Sequence, residues 1–183
     1  MTAVNNANIF VGAPDQLTTG AVNTAPFGTE IPADASAPLD PKYVSSGYVS
    51  KDGVQVTPTL NTTDVTDWNG DVVRRIATEF KGEIKFSSLE LSYEAACQIL
   101  GEDYVTKLAA NAQHGTQLKM GFGKHLPPMR AWVFNMKDGN ARLRLVAPKA
   151  QAMGQNGTIT FNSNGTVNLS PPVACYDDGT GCS

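Results

Sequence analysis

Two histidines, three cysteines and a few neighbouring carboxylates are the side chains of this 183-residue sequence with the most obvious chemical capacity. His114 and His125 lie in neither a His-Glu-x-x-His spacing nor next to a Cys-x-x-Cys pair. A zinc site normally takes three or four protein ligands, so both read as structural or exposed histidines. Gly121-Phe122-Gly123-Lys124 lacks the spacing and the following hydroxyl of a phosphate-binding loop, and no Gly-x-Ser-x-Gly elbow occurs. Glu102-Asp103 and Asp177-Asp178 are read as solvated turn acids, since nothing marks a desolvated cleft that would separate their pKa values. Cys97 falls in an expected helix and reads as a small core residue. Cys175 and Cys182 sit in a loop-like end, and whether they pair stays open. The glycosylation-like triplets at Asn61, Asn156, Asn164 and Asn168 are more simply turn residues. No catalytic, cofactor-binding or metal-binding residue is assigned, and the chain is expected not to be an enzyme.

The elements must therefore serve something other than a reaction centre. The length suits one domain with a core of its own, and 41% hydrophobic with 17% charged residues gives a globular surface rich in uncharged polar groups. No run approaches the roughly 18 apolar residues of a membrane span. The opening Met1-Thr2-Ala3-Val4-Asn5-Asn6 has neither a basic region nor an apolar run, which points to folding in the cytosol. Residues 1–71, 72–149 and 150–183 carry −6, +5 and −2. A centre so modestly basic, with no Lys/Arg run, argues against a dedicated nucleic-acid binder, and its acidic flanks suggest contacts between copies or segments.

Asp52-Gly53, Asn69-Gly70, Asp138-Gly139, Asn156-Gly157, Asn164-Gly165 and Asp178-Gly179 are hairpin-turn dipeptides, so a mainly β domain is predicted after Tyr43. A turn at Asp138-Gly139 sets Met136 opposite Ala141, Phe134 opposite Leu143 and Trp132 opposite Leu145, all on one dry face. The other face receives Asn135 opposite Arg142 and Val133 opposite Arg144. Trp132, Phe134, Leu143 and Leu145 are therefore assigned to the core, together with Cys97 and Leu100. A second ribbon is predicted around Asp52-Gly53, with Val49 opposite Val56 and Tyr48 opposite Thr57. From Ile76 to Phe86, Ile76, Phe80, Ile84 and Phe86 share one parity, and Arg75, Glu79, Lys81, Glu83 and Lys85 the other. Gly82 marks a bend, a bulge or a turn, leaving one long strand or two.

A helix is predicted over Ser92–Leu100, with Ser92 as N-cap, Gly101 as terminator and an inward stripe of Tyr93, Ala96, Cys97 and Leu100 lying on the apolar face of the preceding strand. Residues 103–112 read either way. Further strands are expected near Thr116–Phe122, Gly157–Phe161, Thr166–Leu169 and Val173–Tyr176. Residues 12–42 hold five prolines and three glycines, so no regular element is expected there, only a surface loop or an interaction arm. Trp68, beside Asn69-Gly70, is either an interface anchor or a core residue.

Three blocks carry a family likeness: Gly47-Tyr48-Val49-Ser50-Lys51-Asp52-Gly53-Val54, Asp67-Trp68-Asn69-Gly70-Asp71-Val72-Val73-Arg74 and, above all, Met129-Arg130-Ala131-Trp132-Val133-Phe134-Asn135-Met136-Lys137-Asp138-Gly139. They resemble the major tail (tail tube) proteins of long-tailed phages with non-contractile tails, closest in look to those of actinobacterial phages. The likeness spans roughly Tyr43 to Tyr176. It departs from the family in its long arm and in ending at Ser183 without the immunoglobulin-like appendage of some relatives. The resemblance implies an antiparallel β-sandwich or split barrel with one flanking helix: an arm at 1–42, the tail-tube domain at 43–176 and a short tail at 177–183. It further implies a non-catalytic virion protein, without cofactor, made in the bacterial cytoplasm. Copies close into hexameric rings stacked as a tube around the tape-measure protein, with tail-terminator and distal tail proteins at the ends and DNA passing non-specifically. Glu79, Lys81, Glu83 and Lys85 become candidates for the lumen wall or a ring surface. The arm, the Asp52-Gly53 tip and the Thr62–Asp71 loop, with Asp64, Asp67, Trp68 and Asn69, become candidate contacts between subunits or rings. Removing residues 1–42 is then expected to leave a folded domain that assembles poorly. Two other readings fit the β pattern: a soluble β-sandwich binding module, or another ring-forming tail component such as a distal tail or tail-terminator protein.

Overall fold

The computed structural model describes residues 9–15, 20–161 and 165–176. Cys182, Asp177-Asp178, Asp178-Gly179, Asn164 and the 177–183 tail lie outside the described residues. In chain order the strands are β1 (Ala13–Pro14), β2 (Val22–Pro26), β3 (Val44–Ser45), β4 (Val49–Thr66) and β5 (Val72–Ser88). Helix α1 (Tyr93–Leu100) and a short 3-10 helix (Glu102–Tyr104) come next. Then follow β6 (Val105–Leu108), β7 (Gln117–Met120), β8 (Arg130–Asp138), β9 (Ala141–Ala152), a 3-10 helix (Gly154–Asn156), β10 (Thr158–Thr160), β11 (Asn168–Ser170) and β12 (Pro172–Cys175). Ten strands form one antiparallel sheet in the order β10-β11-β5-β12-β9-β8-β2-β3, with β4 on β5 and β1 on β8; β6 and β7 form a separate pair. The fold is the mainly β one expected.

The large sheet curls on itself, because β5 and β8, separated by β12 and β9 in the strand order, meet side chain to side chain. Phe86 of β5 lies 5.8 Å from Trp132 and 5.9 Å from Phe134 of β8, ring centre to ring centre. Val22, Val49, Ile84, Ala147, Ala150 and Val173 close this core, and Leu145 packs against it. Alternation explains the membership: every second residue of each strand turns inward, and aromatic pairs at such separations add to their area burial.

The helix forms as its residues dictate. Ser92 Oγ accepts the Ala95 amide at 3.1 Å, and Gly101, at φ +94°, ends the last turn by donating its amide to the Cys97 carbonyl. Its stripe packs in a second cluster, however, and not on the apolar face of β5. Ala96, Cys97, Ile99 and Leu100 meet Val105, Leu169 and Ile159, while Ile84 and Phe86 turn into the curled sheet. Buried Gln98 pins the helix to the chain after β3: its Oε1 accepts Ser46 Oγ at 2.5 Å and its Nε2 donates to the Val44 carbonyl at 3.3 Å.

The structure corrects several expectations. Residues 12–42 are not devoid of regular structure: Val22–Pro26 is a buried strand between β8 and β3, and Pro26 falls at its end, where the missing amide does no harm. The Pro-rich stretch that follows is tied to β9 by Arg144, whose Nη1 donates to the Asp34 and Ala37 carbonyls at 2.7 and 2.9 Å. Asp52-Gly53 makes no hairpin. It is an irregularity inside β4, where Gly53 uses its positive φ of +70° to bulge the strand, a second use of the same dipeptide signal. At the β8–β9 turn, Gly139-Asn140 are the loop residues and Asp138 pairs with Ala141, so Met136 faces Leu143, Phe134 faces Leu145 and Asn135 faces Arg144. The slip of two preserves every face but moves Leu143 toward the open end of the ribbon, where it is 50% exposed and not core. Gly82 lies within one continuous strand; a Cβ there would come 2.9 Å from Cys175 Cβ on β12, so a bare backbone lets β12 approach.

Two outcomes follow from this packing. Trp132→Ala should cost about 3–5 kcal/mol in chemical denaturation, as a fully buried aromatic leaves a cavity between β5 and β8. Deleting residues 1–42 should give an unfolded chain by circular dichroism, because the deletion removes β2 from beside β8.

Candidate functional site

The β4–β5 pairing begins in the core and ends in solvent. Among the described residues, β12 covers the outer edge of β5 only over Gly82–Lys85, and β4 pairs with β5 alone. Beyond the Pro58–Gly82 pair the two strands form a free ribbon of about 25 Å, at roughly 3.4 Å per residue. Asn69-Gly70 is the turn signal behind it, and the paired strands extend far past the Thr62–Asp71 loop expected from sequence: Thr62–Thr66 is strand, leaving Asp67–Asp71 as the tip.

The tip is held by one carboxylate. Asp67 Oδ1 accepts the amides of Asn69 and Asp71, each at 2.9 Å, while Asp67 and Asp71 also bond through their backbones at 2.8 Å. Gly70, at φ +90°, supplies the turn's left-handed residue. Trp68 projects from this frame with 102% exposure, touching nothing that would shield it, so the core alternative for Trp68 is overturned.

Thr78 decides which side chains share a face. Asn61 pairs with Glu79 but Thr62 with Ala77, leaving Thr78 as an extra residue whose Oγ1 donates to the Asn61 carbonyl at 3.0 Å. On the core side of this bulge, Val56, Leu60, Phe80 and Ile84 lie on one face, and Thr57, Thr59, Lys81 and Glu83 on the other. Past it the alternation inverts. Ile76 joins the side of Glu79, and Arg75 joins the side of Phe80, where its Nε and Nη2 reach Asp64 Oδ1 and Oδ2 at 2.7 and 3.0 Å. The single-parity reading of Ile76 through Phe86 therefore fails at the bulge, and only Ile84 and Phe86 of its apolar members are buried. Leu60, Val65, Val72, Val73, Ile76 and Phe80 are all exposed, which places apolar groups on both faces of the free ribbon.

The charged row holds together as the alternation implies. Glu79 and Lys81 pair at 3.2 Å and Glu83 and Lys85 at 3.3 Å, and Asn61 Nδ2 donates to Glu79 at 3.0 Å from across the ribbon. The hydrogen bonds from Lys81 and Asn61 hold the Glu79 carboxyl below the usual carboxylate range. This row forms one wall of an open groove of about 1060 Å³, whose opposite side comes from Met153, Thr158, Ser170, Pro172 and Tyr176. Asp52 and Gly53 line the same groove at the base of the ribbon, whereas Asp64, Asp67, Trp68 and Asn69 gather at its far end. The sequence candidates thus fall into two groups at opposite ends of one hairpin. The exposed apolar residues were missed because their alternation resembles that of a core strand. The available signal was the pair of extended segments of nearly equal length on either side of Asn69-Gly70.

Elsewhere, His125 stacks on Tyr104 with ring centres 5.0 Å apart, and the His114 amide closes a turn onto Asn111 Oδ1 at 2.8 Å. Among the described residues no group of three His, Cys, Asp or Glu side chains is placed to hold a metal ion. Cys97 is buried, and burial pushes its thiol pKa up, as suits a packing residue. Among the described residues no helix is long and apolar enough to cross a membrane.

Compared with known families, the chain matches the model described as phage tail tube protein over residues 2–180. No curated protein matches it. The match takes in nearly the whole sequence, and the chain belongs to the phage tail tube protein family: a structural component of the virion tail, in a family whose members assemble into a tube.

The Asp64–Arg75 bridge gives a pH signature. The Arg75 hydrogen bond holds the Asp64 carboxyl below the usual carboxylate range, so the bridge is intact above that range and lost as pH falls through the depressed value. A carboxyl-detected NMR titration should show Asp64 titrating at lower pH than a free aspartate, and Arg75→Gln should return it to the ordinary value.

Proposed function

We propose that this member of the phage tail tube family closes into six-membered rings through its sheet edges and stacks those rings through the projecting β4–β5 hairpin. The tube so formed surrounds the tape-measure protein during assembly in the bacterial cytoplasm, is bounded by tail-terminator and distal tail proteins, and later conducts DNA non-specifically to the host. The observation that carries this reading is the free ribbon itself. A two-stranded hairpin is marginally stable in water on its own, yet this one bears Leu60, Val65, Ile76 and Phe80 on its two faces. Covering such a side chain with a neighbouring copy contributes about 1.5–3 kcal/mol each, which supports an arm built to be buried on assembly.

Two further features support it. The outer edge of β4 has no partner strand from Gln55 to Thr66 among the described residues, and ring closure removes edges of that kind. The Glu79, Lys81, Glu83 and Lys85 row is charge-balanced within itself, which suits a wall past which DNA slides, since a basic wall would gain affinity by counterion release and stall it. That row is our candidate for the lumen or ring surface, and Asp64, Asp67, Trp68 and Asn69 for contacts between subunits or rings.

Negative-stain electron microscopy and light scattering across a concentration series test the proposal. The full chain should form uniform hollow tubes or stacked six-fold rings. A variant with residues 61–79 replaced by Asn-Gly, which joins the paired Leu60 and Phe80 by a two-residue turn, should keep the monomer's unfolding midpoint. It should need more than about tenfold higher concentration to assemble, a loss of about 1.4 kcal/mol. A full chain that stays monomeric at all concentrations, or a shortened variant that makes tubes as readily, would reject it.

A further inference from the structure

The free ribbon has two open edges. Among the described residues β5 is flanked by β12 only over Gly82–Lys85 and meets β11 only at Ser88, so its outer edge is bare from Val72 to Lys81. On the other side of the ribbon, the outer edge of β4 is bare from Gln55 to Thr66. The two runs pair with each other inside the chain, so they lie at the same distance from the body. A bare edge is a row of backbone donors and acceptors, and what it matches is another strand. The two edges also suit each other in direction. Because β4 and β5 are antiparallel, ribbons standing side by side and pointing the same way bring β5 of one copy antiparallel to β4 of the next.

The side chains select that neighbour. On its inner side β5 already meets favourable partners: Phe80 faces Leu60, Glu79 faces Asn61 and Arg75 faces Asp64. A neighbouring β4 at the same height sets a second copy of each partner on the open side. Phe80 then lies between two Leu60 side chains, and the Arg75 guanidinium between two Asp64 carboxylates. Arg75 has a donor to spare, since Nε and Nη2 are taken by its own Asp64 while Nη1 has no acceptor among the described residues. Asp64 is the sole charged residue from Gln55 to Thr66, so no like charges meet across such a seam. An offset of two residues, which strand tilt about a ring axis introduces, keeps every face and leaves these partners within diagonal reach.

We propose that β5 of one copy, over Val72–Lys81, pairs edge to edge and antiparallel with Gln55–Thr66 of β4 in a second copy. The pairing rests on the self-assembly reading above and names the edges that join. The extra residue at Thr78 interrupts the new ladder as it does the existing one, leaving Val72–Ala77 and Glu79–Lys81 as its two runs. The contact is heterologous: each copy that joins leaves one edge open for the next, until the series closes into a ring. It also makes the two-stranded ribbon part of a wider sheet, which is what an isolated hairpin needs to be stable.

Hydrogen exchange and cross-linking test the seam on the full chain. In wild-type tubes, the alternate amides of Gln55–Thr66 and Val72–Lys81 that point away from the ribbon should exchange about hundredfold more slowly than in the monomer. For cross-linking, Cys182→Ser removes one native thiol, and Cys97 and Cys175 are buried. In that background one chain carries Lys81→Cys and the other Thr57→Cys, Thr59→Cys or Asn61→Cys, all on the face of Lys81. No chain carries both, so each new disulfide joins two copies. Mixed tubes under added oxidant should give a dimer of unlike chains with at least one of the three β4 positions. Wild-type tubes whose outward amides exchange as fast as in the monomer would overturn the pairing and leave the tube reading standing, whatever the cysteine variants do. Slowed amides without an unlike-chain dimer in mixed tubes would also overturn it, by assigning the edges to another strand. Thr59→Cys chains that link only to one another would replace it with a two-fold β4–β4 contact. Absence of wild-type assembly would overturn both.

Discussion

The pairing of β4 with β5 is the contact on which the molecule turns, because it is asked to be part of a core at one end and an independent ribbon at the other. At the inner end, Val49, Ile84 and Phe86 are clamped by the opposing wall of the curled sheet, with Phe86 wedged against Trp132 and Phe134. Backbone hydrogen bonds carry that order outward once Gly82 is passed, with no third strand alongside among the described residues. The ladder is thus the mechanical link between a packed body and an exposed tip, and loosening Phe86 would slacken the whole lever.

How the body resists that lever is visible in its cross-ties. Gln98 fastens the helix to the segment after β3, Arg144 fastens the Pro-rich stretch to β9, and Ser88 Oγ, at the inner end of β5, donates to the Ser46 carbonyl at 3.1 Å. Each satisfies a polar group that burial would otherwise strand, and buried hydrogen bonds of this kind cost far more to break than they contribute when formed. The inner end of the β4–β5 pair is accordingly fastened to the body.

Local chemistry made much of this legible from the residues alone. Ser92 and Gly101 bracketed the helix because capping is decided within a few residues, and Trp132 and Phe134 were recognisable as core because alternation and an Asp-Gly turn agree there. What escaped depended on distant partners. β2 was hidden by flanking prolines and glycines, since only its pairing with β8 makes an extended segment of it. Ile76 and Phe80 read as core because an apolar alternation does not say whether the facing surface belongs to the same chain. Asp52-Gly53 offered a positive φ that a bulge uses as readily as a turn, and only the register with β5 distinguishes them. The charged row was found because its period of two survives from Glu79 to Lys85, short of the bulge.

The split of apolar groups between the two faces of the ribbon has a consequence for symmetry. A ribbon with one continuous apolar stripe would let two copies satisfy each other by laying those stripes together about a two-fold axis, an isologous contact that closes after two chains. Here Leu60 and Phe80 lie on one side and Val65 and Ile76 on the other, at different distances from the body. Neither patch is its own complement, so a neighbour that covers one leaves the other open for the next chain. Apolar groups divided in this way favour contacts that propagate over contacts that terminate.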